Sequence, residues 1–254
     1  DQGKMSTARK FIGAFLLLSS PFLFCLSLRA QGYPLSEAQR QAFLQRLSDA
    51  AIERTHHVVR YDSAYVRIPY PGGDVPSGTG VCTDEVIRSY RALGIDLQKE
   101  VHEDMQANFS AYPNHLRWML LHTDTSIDHR RVPNLMVFFG RKGEQLAITK
   151  NGSDYNPGDL VTWDLGGNVP HIGIVVDKKS TSGRYLIVHN IGQGPKAEDV
   201  LFNWKITGHY RYFGSQPFRF KPQLGACHSE PIRRGWEENL NLPKIGCFSL
   251  HSSA

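Results

Sequence analysis

The stretch Gly80–Leu97, GVCTDEVIRSYRALGIDL, is where loop turns into helix. Upstream, IPYPGGDVPSGTG (68–80) is punctuated by proline and glycine and cannot sustain a regular element. From Thr83 the period changes: Val86, Ile87, Tyr90 and Leu93 share one helical face, and Gly94 supplies the stop. Cys82 therefore falls at the first turn of a helix, facing free backbone N–H groups and the positive end of the helix dipole. Both favour a thiolate and move the thiol pKa down from about 8.5. The same N–H groups are suited to holding an oxyanion. Taken alone, such a cysteine is more often a buried core residue. Its chemistry depends on what the rest of the chain brings to it.

Working outward, Leu35-Ser36-Glu37-Ala38-Gln39 opens an earlier helix with Ser36 as N-cap and Gln39 closing a capping box. Phe43, Leu44, Leu47, Ala51 and Ile52 form its apolar stripe. Residues 57–80 read as a short strand or extended chain running into loop. Residues 97–122 predict one or two helices carrying Leu97, Val101, Met105, Leu116 and Leu120. DTSIDHRRVPNL (124–135) begins polar and passes into a helix through Phe139. The second half is β-rich: PGDLVTWDL (157–165), PHIGIVVD (170–177), RYLIVHNI (184–191) and GHYRYF (208–213). Helices first and an antiparallel sheet second predict an α+β domain. Beyond Phe220 the periodicity fades, and 221–254 is expected to be peripheral or disordered.

The chain has 254 residues, 41% of them hydrophobic and 21% charged, enough to bury a proper core. Much of its formal charge of +5 lies near the N-terminus. There, Arg9 and Lys10 follow a start expected at Met5 and precede the apolar run FIGAFLLLSSPFLFCLSL, with small Ala30 after it. This pattern predicts a secretory signal over 1–30, cleaved near Ala30, and a periplasmic or secreted protein. Pro21 and two serines interrupt the run, which argues against a retained membrane anchor. Phe22, Leu23 and Phe24 do not provide the small residue that lipid attachment at Cys25 would need. Removing 1–30 takes away Lys4, Arg9, Lys10, Arg29 and Asp1, leaving 25 basic and 23 acidic residues, a charge of +2. No basic stripe remains, so nucleic acid is not an expected partner. Cys227 and Cys247 are close enough in sequence to pair, which makes Cys82 the odd thiol.

A nucleophilic cysteine needs a base and a group that orients the base. His171 opens one β-rich run and His189 lies near the end of the next, and adjacent antiparallel strands can bring such a pair together. Either histidine alone reads as readily as a core residue with satisfied hydrogen bonds. Cys82, His171 and His189 could instead bind zinc with His102 or Asp84, but no Cys-x-x-Cys or His-Glu-x-x-His spacing supports a metal, and none is expected.

The ordered motifs GVCTDEVIRSYRALGIDL, NPGDLVTWDL, PHIGIVVD and YLIVHN resemble the NlpC/p60 superfamily of papain-like cysteine peptidases. IPYPGGDVP, EVHEDM and DTSIDHRRVPNL resemble a secreted bacterial branch of it, the domain-of-unknown-function family numbered 1287. The resemblance spans roughly residues 40–215 of a catalytic domain expected over 31–220. It implies Cys82 as nucleophile, His171 as general base and then acid, and His189 orienting His171, with no cofactor. Should a bulge intervene, Asn190 takes the orienting role. The family's usual Asp before the nucleophile is Val81 here, and its usual Ser-Gly afterwards is Thr83-Asp84. An upstream tyrosine lines the cleft in relatives, which makes Tyr70 a candidate for substrate contact; a turn-packing role beside Pro69 and Pro71 is the alternative. Arg130 or Arg131 could grip a peptide carboxylate, although a surface salt-bridge cluster explains IDHRR more simply. By family analogy the substrate is a peptide bond of cell-wall peptidoglycan. The rivals are an acyltransferase or amidase acting on a lipid or other non-wall substrate, and a catalytically silent wall-binding module. An apolar pocket beside Cys82 would favour the acyl enzyme, and an inert thiol the silent module.

Overall fold

The computed structural model describes residues 35–215. The signal expected over 1–30, the tail 221–254 and the cysteines 25, 227 and 247 lie outside the described residues. Helix α1 (Glu37–Arg54) starts with the capping box that its sequence announces: Ser36 Oγ accepts the Gln39 N–H at 3.3 Å, and the Gln39 side chain accepts the Ser36 N–H at 2.9 Å. Helix α2 (Cys82–Ala92) ends before Gly94, which adopts φ +84°. Helix α3 (Leu97–Ala107) is capped by Asp96, α4 (Asn114–Trp118) is a short turn, and α5 (Val132–Lys142) has proline in its first turn. Among the described residues no helix is long and apolar enough to cross a membrane.

Strands β1 (Arg60–Tyr61) and β2 (Thr79–Gly80) form a small parallel pair just ahead of Cys82. The main sheet contains β3 (Glu144–Gln145), β4 (Leu160–Asp164), β5 (Pro170–Lys179), β6 (Tyr185–Asn190), β7 (Pro195–Glu198) and β8 (Lys205–Arg211). Its order is β3-β8-β4-β5-β6-β7, and every pairing is antiparallel. The fold is thus α+β, with helices packed on an antiparallel sheet.

Strand alternation divides the core in two. Ile172, Ile174 and Val176 of β5 face the helices, joining Phe43, Leu47, Val86, Ile87, Tyr90 and Phe139. Val175 turns the other way, towards Tyr155, Val161, Trp163, Ile187 and Leu201. Fully burying each such aliphatic side chain contributes about 1.5–3 kcal/mol. The α2 face read from sequence is the face that packs, and Tyr90, fully buried, donates its hydroxyl to the Tyr212 carbonyl at 3.0 Å.

Two strands of the main sheet were not visible in sequence. β3 is a two-residue pairing at one sheet edge. β7, Pro-Lys-Ala-Glu, has no β-branched or aromatic residue, and its proline sits where an edge strand tolerates one. Its pairing is dictated by β6 rather than by local preference.

Candidate active site

Cys82 is the first residue of α2. Val81, Thr83 and Asp84 all take part in anchoring that helix start. The Asp84 carboxylate accepts the Val81 N–H at 2.7 Å, doing from inside the helix what a capping residue does from outside. It also takes two hydrogen bonds from the Arg130 guanidinium, from Nε at 2.8 Å and Nη2 at 3.0 Å. Thr83 Oγ1 donates to the Arg130 carbonyl at 3.0 Å. The Gly80 carbonyl, two residues before the cysteine, accepts from the Asp62 N–H at 3.2 Å and from the Asn190 side chain at 3.4 Å.

The sulfur meets the sheet where two strands separate. Val175 directs its N–H and C=O to Asp159 and Gly158 on the β4 side. Alternation along β5 therefore turns the amides of Ile174 and Ile172 towards β6. The β5–β6 register holds from Val176↔Leu186 to Ile174↔Val188 and does not continue at Ile172. The freed Ile172 N–H lies near the Cys82 sulfur and favours its ionised form, as do the N–H groups of Thr83 and Cys82 itself. The thiol thus sits against the residue next to His171.

His171 and His189 lie on the Trp163 side of the sheet. His171 Nε2 and His189 Nδ1 are 2.8 Å apart, with the rings edge to face. Continuing the register places His189 opposite Gly173, diagonal to His171. A Cβ at Gly173 would lie 3.2 Å from the His189 Cβ and 2.9 Å from the Val188 carbonyl oxygen. The missing side chain is what lets the His189 ring lean across to His171. Trp204 packs on both rings at 6.2 Å, and Trp163 on His171 at 5.9 Å. His189 Nε2 continues to Glu198 Oε2 of β7 at 3.0 Å.

Burial dominates the electrostatics. It pushes the Cys82 thiol up to about 12, because the cost of desolvating a thiolate, with some repulsion from Asp84, exceeds what three backbone N–H groups return. The thiolate expected from the helix terminus is not the resting form. His171 is pushed down to about 3 by burial and by its neighbour His189. Burial likewise lowers His189, against the pull of Glu198. The resting site is a neutral thiol and neutral imidazoles.

The remaining sequence candidates fall elsewhere. Arg130 is no surface residue: it is 7% exposed. Besides Asp84, its guanidinium reaches the carbonyls of Ala64 at 3.3 Å and Asp62 at 3.5 Å, which leaves no edge for a substrate carboxylate. Tyr70 packs edge-on against His102 of α3, with ring centroids 4.9 Å apart. The tyrosine in electrostatic reach of the thiol is instead Tyr61, which β1–β2 pairing sets opposite Gly80. Burial first, then Cys82 and Asp84, raises its phenol above the ordinary range. The parallel pairing that positions Tyr61 is too short to leave a periodic signal. Asn190 turns to Gly80, so it is His189 that bonds His171. Beside the dyad, Trp163, Asp164 and Pro170 join Pro133, Met136 and Val137 of α5 around a pocket of about 290 Å³, with Arg117 at its wall.

Comparison with known proteins agrees with this reading at the level of family. The model of the family described as "Domain of unknown function (DUF1287)" matches residues 48–212. Among curated proteins, "Uncharacterized protein YijF" of Escherichia coli (strain K12) is 48% identical over 188 residues, covering 74% of this chain and 91% of that protein. Among solved structures, NlpC2 and NlpC1 from Trichomonas vaginalis match with TM-scores of 0.37 and 0.36 at 15% and 16% identity. Those alignments cover 67% and 66% of this chain, which spans less than half of either structure, 46% and 44%. On the extent of the family match and the identity to its Escherichia coli relative, the chain belongs to the DUF1287 family.

Proposed function

We propose that the protein is a cysteine amidohydrolase acting outside the cytoplasm on the stem peptides of cell-wall peptidoglycan. The observation that carries this reading is the His171–His189 bond at 2.8 Å, with the Cys82 sulfur near the backbone of Ile172, the residue after His171. Among the described residues no hydrogen bond reaches His171 Nδ1, so this nitrogen is free to exchange a proton. In the first half-reaction the sulfur attacks the amide carbonyl while the thiol proton passes to His171 Nδ1. The tetrahedral oxyanion is held by the backbone N–H of Cys82, with the Tyr61 hydroxyl as a second donor. The C–N bond breaks, His171 Nδ1 protonates the departing amine, and a thioester remains. Water then attacks the thioester, gives a proton to His171 and releases the carboxylic acid, and the thiol is restored.

A neutral resting dyad is compatible with this sequence because the proton moves only as the carbon–sulfur bond forms. The substrate class rests on the superfamily resemblance, and the export on the signal pattern of residues 1–30. A second reading, transfer or hydrolysis of an acyl group, is favoured by the largely apolar walls of the 290 Å³ pocket, to which Trp163 and Pro170 beside His171 contribute.

Mass spectrometry of purified muropeptides, incubated with wild type and with Cys82→Ala, tests the proposal. New fragments that vanish in the variant identify the scissile bond. Turnover of short acyl esters without muropeptide cleavage points to the second reading. Absence of both would leave a wall-binding module.

A further inference from the structure

The geometry points to Glu198 as a positioning residue that sets the tautomer of His189 and, through it, that of His171, so that His171 Nδ1 carries a lone pair and no hydrogen. The consequence for turnover rests on the amidohydrolase reading. The tautomer assignment rests on the hydrogen bonds and on the burial of both rings.

A carboxylate can only accept, so His189 Nε2, 3.0 Å from Glu198 Oε2, carries hydrogen. A neutral imidazole has a single N–H, so His189 Nδ1 is then an acceptor. His171 Nε2, 2.8 Å from that nitrogen, must be the donor, which leaves His171 Nδ1 unprotonated. Burial of both rings favours the neutral forms this chain requires. Without Glu198 nothing distinguishes the two directions of the His171–His189 bond. Reversed, it leaves hydrogen on His171 Nδ1 and a base unable to accept the thiol proton.

Neighbouring charges do not compete for the role. Lys196, in register with His189, directs its ammonium to Gln193. Asp199 is held by Arg184, Ser180 and Ser182. Glu198 lies on an edge strand with 42% of its side chain exposed, so its replacement should leave the core intact.

The test is long-range ¹H–¹⁵N spectroscopy of the histidine rings, which reads tautomers whether or not the protein cleaves anything, combined with turnover. Wild type should show the Nε2–H form for both His171 and His189. Glu198→Gln keeps an acceptor oxygen and should retain both the pattern and most of the turnover. Glu198→Ala should mix the tautomers and lower kcat about 10–100-fold with KM unchanged, the usual scale for outer partners of functional histidines. A wild-type spectrum with Nδ1–H on His171, or a Glu198→Ala protein with unaltered tautomers, overturns the inference. The predicted spectra without cleavage of any wall peptide would support the tautomer assignment and count against the amidohydrolase reading instead.

Discussion

Two buried histidines on the strands that flank β4 in one sheet show how packing separates a structural imidazole from an available one. His209 of β8 has both ring nitrogens engaged: Nδ1 with the Ala147 carbonyl at 3.0 Å and Nε2 with Asp159 at 2.8 Å. Tyr155 stacks on its face at 4.3 Å, and Arg211 closes on the same carboxylate. Nothing is left for chemistry. His171 of β5 is equally buried but bonded at Nε2 alone, and its partner passes the interaction on to a half-exposed acid. Burial and a nearby carboxylate are common to both sites. The uncommitted nitrogen is what differs.

That contrast can be broken most sharply by exchanging outcomes. His171→Ala should lower muropeptide turnover by about 10⁴-fold, the upper range for a general acid–base group, with little change in melting temperature. His209→Ala should do the reverse. Turnover per folded molecule stays, while urea unfolding shows a loss of about 1–3 kcal/mol, because buried Asp159 loses a hydrogen-bond partner. Equal activity losses in the two variants would erase the distinction.

The Arg130–Asp84 pair places the helix start on the structural side of the same divide. Both side chains are at most 3% exposed, so Arg130→Met should destabilise by about 3–5 kcal/mol, measured by urea unfolding. Substrate affinity in the remaining folded protein should be unchanged. A large rise in KM without loss of stability would return Arg130 to the binding surface.

Gly173→Ala probes the contact between the two catalytic candidates. The added methyl meets Val188 backbone and His189 Cβ, so a cost of about 1–3 kcal/mol accompanies separation of the rings. His171 and His189 shifts should move together in the NMR spectrum.

The smallest effect is on acid stability. With its pKa lowered to about 3, folded His171 resists a proton that the unfolded chain accepts near 6.5. Between those values the unfolded state binds more protons, so stability rises with pH and falls as pH drops from 6.5 towards 3. Wild type should lose about 1–3 kcal/mol more than His171→Gln between pH 7 and pH 4.5 in urea titrations. Over the alkaline range, alkylation of Cys82 by iodoacetamide should keep rising with pH, since the buried thiol ionises only near 12.

Much of this was open to reading in the chain itself. The capping box at Ser36, the α2 stripe and the β-rich runs 157–165, 170–177 and 184–191 are local patterns whose period names the element. The residues proposed for chemistry, Cys82, His171 and His189, stood in those elements at positions the structure brings within one region. Alternation also indicated that Asn190 faces away from His189. What escaped was the role of weakly patterned segments. Tyr61 and Glu198 sit on two- and four-residue strands whose pairing is set by neighbours distant in sequence, and neither has a periodic context of its own.

The sequence by itself determined the element types, the α+β order and which titratable residues stand at the ends of regular elements, because these follow from short-range periodicity and capping. Only the tertiary structure decided that Arg130 is a buried clamp, that Tyr61 rather than Tyr70 neighbours the thiol, that Cys82 rests neutral and that Glu198 terminates the histidine pair. Each of those depends on burial and on contacts between residues far apart in the chain, and neither quantity exists until the sheet has closed over the helices.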